Sequence, residues 1–113
     1  MSNTIHLFGY LGDDAELRGG DNGPVVLRVA ENADYTDRRT GEAVKKTIWH
    51  QVITFQSGLK TMLLDRGRKG DFVTLEGHLE YDSYRKDGET SDRVTAKIVV
   101  GPQHSIKVIE PAR

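Results

Sequence analysis

Cysteine is missing from this chain of 113 residues. Neither disulfides nor a zinc ribbon can therefore hold its fold, and a reducing compartment is permitted. An excess of one charge is missing too: 16 Lys and Arg stand against 17 Asp and Glu, a formal net charge of −1. The total does not announce a polyanion partner, so any basic surface must be local. No apolar stretch approaches the roughly 20 residues that span a bilayer. Met1-Ser2-Asn3-Thr4 lacks the charged-then-apolar layout of a signal peptide. A soluble cytoplasmic protein with no membrane partner is expected. The length suits one domain, residues 1–113, with a single core. Internal repeats and low-complexity segments are absent as well.

Catalytic patterns are equally scarce. His6, His50, His78 and His104 show no metal-ligand spacing. His50 shares a face with Val52 and reads as a buried or interfacial hydrogen-bonding residue. No Ser–His–Asp or Cys–His pattern can be assembled, and the carboxylates are scattered through loops. Gly19, Gly20 and Gly23 do not lead from a strand into a helix, so they form no phosphate cradle. No enzyme activity, cofactor, metal or small-molecule substrate is indicated.

What the chain does have is one tryptophan, in the run Thr47-Ile48-Trp49-His50-Gln51-Val52-Ile53-Thr54-Phe55. On a strand, Trp49, Gln51, Ile53 and Phe55 share one face, with Ile48, His50, Val52 and Thr54 on the other. Both faces carry large or β-branched residues, whereas a sheet with one solvated face usually keeps one side polar. A tryptophan on a strand is more often packed than bare. Here, however, Ile48 and Val52 already supply a core from the opposite face, leaving Trp49 and Phe55 free to offer flat rings.

The rest of the chain supplies strands and one helix. Asn3 to Gly12 opens as a strand with Ile5, Leu7 and Gly9 on one face and His6, Phe8 and Tyr10 on the other. Gly9 and Gly12 suggest a bulge or a close backbone approach. Asp13 to Gly23 is a glycine-rich loop with a short extended piece at Ala15 to Arg18. Val25 to Ala30 is a second strand, and Asp34 to Lys46 is a charged hairpin arm turning at Thr40-Gly41. Leu59, Met62 and Leu63 mark one stripe of a helix of about ten residues, with Ser57 as N-cap and Gly67 and Gly70 at its end. Asp71 to Tyr84 returns to strand, Lys86 to Glu89 turns, and Arg93 to Val100 pairs back. Gly101-Pro102 breaks that strand, and Ile106 to Ile109 forms a last short extended segment.

Three strands, a helix and two strands, with a long hairpin before the helix, match an all-β OB-fold. That fold is a five-stranded Greek-key barrel with its helix between strands three and four. Another small barrel carrying one helix is the other arrangement this order allows.

At this point the chain resembles the bacterial single-stranded DNA-binding protein (SSB) family. The resemblance runs from Asn3 to about Pro111. It rests on Asn3-Thr4-Ile5, Leu11-Gly12 and Glu16-Leu17-Arg18. It rests further on Thr40-Gly41-Glu42 through Trp49-His50-Gln51-Val52 to Phe55, and on Leu75-Glu76-Gly77-His78-Leu79. The resemblance implies an OB-fold that assembles, commonly as a homotetramer, and wraps single-stranded DNA in replication, recombination or repair. Trp49 and Phe55 match aromatic positions of the family, and Tyr35 and Tyr84 fall where relatives often carry a tryptophan. Bases stack on such rings in any sequence, while Lys and Arg meet phosphates and release counterions. The cations nearest the aromatics are Arg38, Arg39, Lys45 and Lys46 on the first hairpin, and Arg85 and Lys86 on the second. Arg18 and Lys60 are added mainly by the resemblance.

Two departures from the family stand out. Glu80 and Asp82 precede Tyr84, where relatives carry basic or neutral residues, so repulsion of phosphate is expected there. Tyr81 and Tyr84 have opposite parity and share a face only across a bulge. The chain also stops at Glu110-Pro111-Ala112-Arg113, without the acidic-tipped flexible tail of the family. These departures support a second reading, a tail-less OB interaction module. It would be a primosome accessory subunit or a mobile-element SSB paralogue, with weak DNA binding.

Overall fold

The computed structural model describes residues 3–85, 87–88 and 90–109. In chain order the elements are β1 Ile5–Leu11, β2 Glu16–Leu17, β3 Val25–Asn32, β4 Tyr35–Thr36, β5 Ala43–Val44 and β6 Thr47–Thr54. They continue with α1 Ser57–Arg66, β7 Phe72–Tyr84, β8 Arg93–Val100 and β9 Ile106–Ile109. The main sheet runs β1-β3-β6-β8-β7, and β7 pairs with β1 to close the ring. Every pairing in that ring is antiparallel except β6 with β8, which is parallel. This is the expected OB-fold, with α1 between the third and fourth strands of the ring. β9 adds to β7 beside β1, from Phe72↔Ile109 to Leu75↔Ile106.

Alternation decides what goes inside. Leu7 and Leu11 of β1, Val25, Leu27 and Val29 of β3, and Val52 of β6 point inward. Val73 and Leu75 of β7 and Ile98 and Val100 of β8 join them in one buried cluster. α1 closes one end of the ring with Leu63, which is fully buried, while Leu59 and Met62 pack partly against the same cluster. Thr54 and Asp71 are the buried polar residues among those described, and the Thr54 hydroxyl donates to the Val100 carbonyl at 2.9 Å. The same oxygen accepts the Gln56 N–H at 3.2 Å, leading the chain into the helix. Gln56 is the N-cap, without a side-chain bond, and Ser57 is already helical, so the helix starts one position earlier than the sequence suggests.

Gly9 explains how β1 passes from β7 to β3. A β-carbon there would lie 2.4 Å from the Ala30 carbonyl oxygen, so only glycine permits the approach. Of the bulge and the close backbone approach that the sequence allows at Gly9, the structure shows the close approach. The sequence reading of Ile48 as core is corrected as well. Ile48 lies beyond the closed part of the ring and is 36% exposed, because the inner face has no strand above it there. Likewise β6 ends at Thr54, so strand alternation does not extend to Phe55.

Leu63→Ala should cost about 2–5 kcal/mol of unfolding free energy, since it empties a fully buried site at the ring's closed end. Urea denaturation against the parent chain checks this; a loss below about 0.5 kcal/mol would mean that the helix is not a structural plug.

Candidate nucleic-acid interface

Trp49 lies on the outer face of β6, opposite Ala30 of β3, and is 47% exposed. Its neighbours on that face are Arg28 and Gln51, themselves a cross-strand pair. The Arg28 guanidinium carbon sits 4.0 Å from the centroid of the tryptophan ring. Such a contact on an exposed surface is worth about 0.5–1 kcal/mol. The indole reaches across β3 to Gly12, where an added β-carbon would lie 2.5 Å from Cζ3 of the ring. Beside the ring is an open groove of about 330 Å³, lined by Arg18, Val26, Arg28, Trp49 and Gln51 among others. Val26 and Ile53 pair beneath this outer surface and are buried, so the groove has a firm apolar floor.

The other three ring positions stand on separate segments and are all exposed. Tyr35, 53% exposed, stands on the short β4–β5 ladder of the hairpin arm, opposite Val44. Phe55, 58% exposed, follows the last residue of β6 at the other end of that strand. Tyr84 ends β7 opposite Arg93. Because β6 and β8 are parallel, the arm before Thr47 and the hairpin before Arg93 leave the ring from the same end. The pairing from His78↔Val99 to Tyr84↔Arg93 is unbroken, so Tyr81 faces away from Tyr84 and there is no bulge.

Charge is distributed less simply than the sequence suggests. Arg38 and Arg39 lie at the arm's tip, where Asp37 Oδ1 accepts the Arg39 N–H at 2.8 Å and Gly41 adopts φ 74°. Lys45 and Lys46 are exposed near its base, held there by the Lys46 N–H donating to Asp34 Oδ1 at 2.8 Å. Other candidates already have partners. Arg85 meets Asp92 at 3.0 Å, Arg18 meets Glu16 at 3.6 Å, and Lys60 Nζ donates to the Asp21 carbonyl at 3.0 Å. Lys86 lies outside the described residues.

The acidic stretch before Tyr84 is also compensated. Lys97 Nζ lies 2.7 Å from Asp82 Oδ2, and His78 Nε2 lies 2.8 Å from Glu80 Oε2. The hydrogen bond to Asp82 holds the Lys97 pKa above the ordinary lysine value, aided by the charges of Asp82 and Glu80 against a desolvation cost. The expected repulsion of phosphate at Asp82 is therefore reduced. His50, half-buried, pairs with Glu31 at 2.7 Å, in keeping with its hydrogen-bonding role.

Arg28 escaped the sequence reading. The signal was its parity: it stands between Leu27 and Val29, whose side chains point inward, so it must point out with Trp49. A second outer surface was also missed. Phe8 and Tyr10 of β1 are 59% and 56% exposed. Tyr10 meets Phe72 edge-on at 5.2 Å, and Phe72 in turn pairs with exposed Ile109 of β9.

Comparison with known proteins agrees with this geometry. The model of the single-strand binding protein family matches residues 2–106. A curated single-stranded DNA-binding protein of Rhizobium meliloti (strain 1021) is 33% identical over 100 residues, covering 87% of this chain. The match covers 57% of that relative's length. Among solved structures, a Plasmodium falciparum SSB complex with ssDNA superposes with a TM-score of 0.81 at 21% identity, over 96% of this chain and 95% of that one. The small single-stranded DNA-binding protein from Streptomyces coelicolor gives 0.68 at 23% identity, over 96% and 94% of the two chains. Mitochondrial Rim1 from S. cerevisiae gives 0.72 at 18% identity, over 99% of both. At such identities these likenesses establish the OB-fold.

The Lys97–Asp82 pair predicts a pH signature. A raised folded-state pKa contributes stability fully below the unfolded lysine value, and that contribution disappears as pH rises through the folded value. Lys97→Met should therefore unfold more easily than the parent at neutral pH, by no more than about 1 kcal/mol for so exposed a pair. Melting curves should converge in strong alkali, and a gap independent of pH would argue against the pairing.

Proposed function

Since this chain belongs to the single-strand binding protein family, we propose that it binds single-stranded DNA with little sequence preference. In this role it shields unpaired strands during replication, recombination or repair. The observation that carries the reading is a half-exposed outward indole, Trp49, mounted on the β3–β6 ladder with the Arg28 guanidinium over its ring. Bases stack on Trp49, Phe55, Tyr35 and Tyr84, because every base offers a π-face. Arg38, Arg39, Lys45 and Lys46 on the first hairpin, with Arg85 and Lys86 on the second, Arg18 beside the groove and Lys60 on α1, serve the phosphates. Surface pairs such as Arg85–Asp92 exchange readily for phosphate, since an exposed ion pair is worth little. The setting of this work is the cytoplasm, at the nucleoid.

The protein acts as a homo-oligomer in this reading, a tetramer being the expected form. Phe8, Tyr10, Phe72 and Ile109 make an apolar outer surface on β1, β7 and β9, joined to the Trp49 face through Ala30, which pairs with both Tyr10 and Trp49. Beside it, β1 pairs with β3 only at Tyr10 and Leu11 and is crowded by Ala30 at Gly9, which leaves one edge of residues 5–8 open to another strand. A second copy of the chain satisfies both the edge and the rings.

Titrating the protein with oligo-dT at low salt should quench Trp49 fluorescence, and absence of both quenching and binding would end the proposal. Trp49→Ala, still folded, should lose about 1–3 kcal/mol of binding, one stacked base. Phe8→Glu should lower the mass measured by sedimentation while leaving the secondary structure intact. A parent chain that sediments as a monomer at micromolar concentration would refute the assembly.

A further inference from the structure

Trp49 is not fully available in the free protein, because the Arg28 guanidinium rests on its ring at 4.0 Å. Among the described residues Arg28 has no carboxylate within salt-bridge distance, unlike Arg18, Arg68 and Arg85. Its charge is therefore held by the indole alone. Both Arg28 and Arg18 line the same groove, over a floor that includes Val26. Gly12 limits how far the indole can retreat, since the end of the ring is already pressed against its backbone.

We propose that Arg28 gates the tryptophan by exchange. An arriving base takes the face that the guanidinium occupies, and the freed guanidinium turns to the phosphate of that nucleotide, next to Arg18. The exchange is favourable because a stacked base outweighs an exposed cation–π contact. The guanidinium also trades a neutral ring for an anion. No covalent bond changes. Arg28 thus couples one stacking event to one phosphate contact in a single-nucleotide subsite. The inference rests on the single-strand reading and adds a specific residue and order of events to it.

Arg28→Ala and Arg28→Lys, checked for folding by thermal melting, should be titrated with oligo-dT across a range of salt concentrations. For Arg28→Ala the slope of log affinity against log salt should be shallower by about 0.7, the value for one single-strand phosphate. Its affinity should fall below the parent at low salt. At high salt it should exceed the parent by about two- to five-fold, because no cation then has to leave the ring. Arg28→Lys should keep the parent slope. A parent-like slope in Arg28→Ala, or a constant loss at every salt concentration, would overturn the exchange while leaving DNA binding intact. A parent chain that does not bind oligo-dT would overturn the underlying function and this inference with it. Should Arg28→Ala fail to fold, Arg28→Gln keeps the length without the charge and gives the same comparison.

Discussion

Eight consecutive rungs between β3 and β6, from Val25↔Thr54 to Asn32↔Thr47, set which side of this protein is core and which is surface. The inward set, Val25, Leu27, Val29, Val52 and Thr54, is buried almost completely. A slip of one residue would send those side chains to water and bring Arg28 and Trp49 into the interior. The cost of such a slip is therefore the core itself. By fixing the inner face, hydrophobic burial also fixes the outer one, and the exposed indole is a product of packing on the reverse of the same strand.

Much of this was legible because period-two alternation carries a clear signal where one face is buried. The strand carrying Trp49 and the faces of β1 follow from it, while the helix around Leu63 follows from the change to helical spacing at Leu59, Met62 and Leu63. Ile48 was misjudged for a related reason. Alternation says which way a side chain points, but only the pairing with other strands says whether anything lies above it. Ring closure stops short of Ile48, so an inward-pointing isoleucine remains partly wet. Gly9 was noticed as unusual, while the contact that requires it, the Ala30 carbonyl, comes from a strand some twenty residues away.

The exposure of the four candidate rings was legible in the sequence, the pairing of the charges less so. Aromatic positions could be carried across by resemblance one residue at a time. Which cation meets which partner depends on register between strands distant in sequence. Lys97 stands opposite Glu80 and reaches diagonally to Asp82 because β7 and β8 are paired as they are, and Arg28 finds Trp49 diagonally across the β3–β6 ladder. A net charge near zero accordingly conceals an uneven surface. Some cations, such as Arg85, are matched to acids, while Arg28 leans on a ring.

β7 has an unequal life along its length. From Phe72 to Leu75 it is hydrogen-bonded to β1 on one edge and β9 on the other, while its end at Tyr84 holds only to β8. Stiffness thus declines from the ring toward the tip, as protection by neighbours declines. In the proposed role, Tyr84 on the compliant end would tilt and shift to follow bases of different size and spacing. One strand in this way joins a fixed anchor to an adjustable finger, a mechanical division suited to a surface that must accept any sequence.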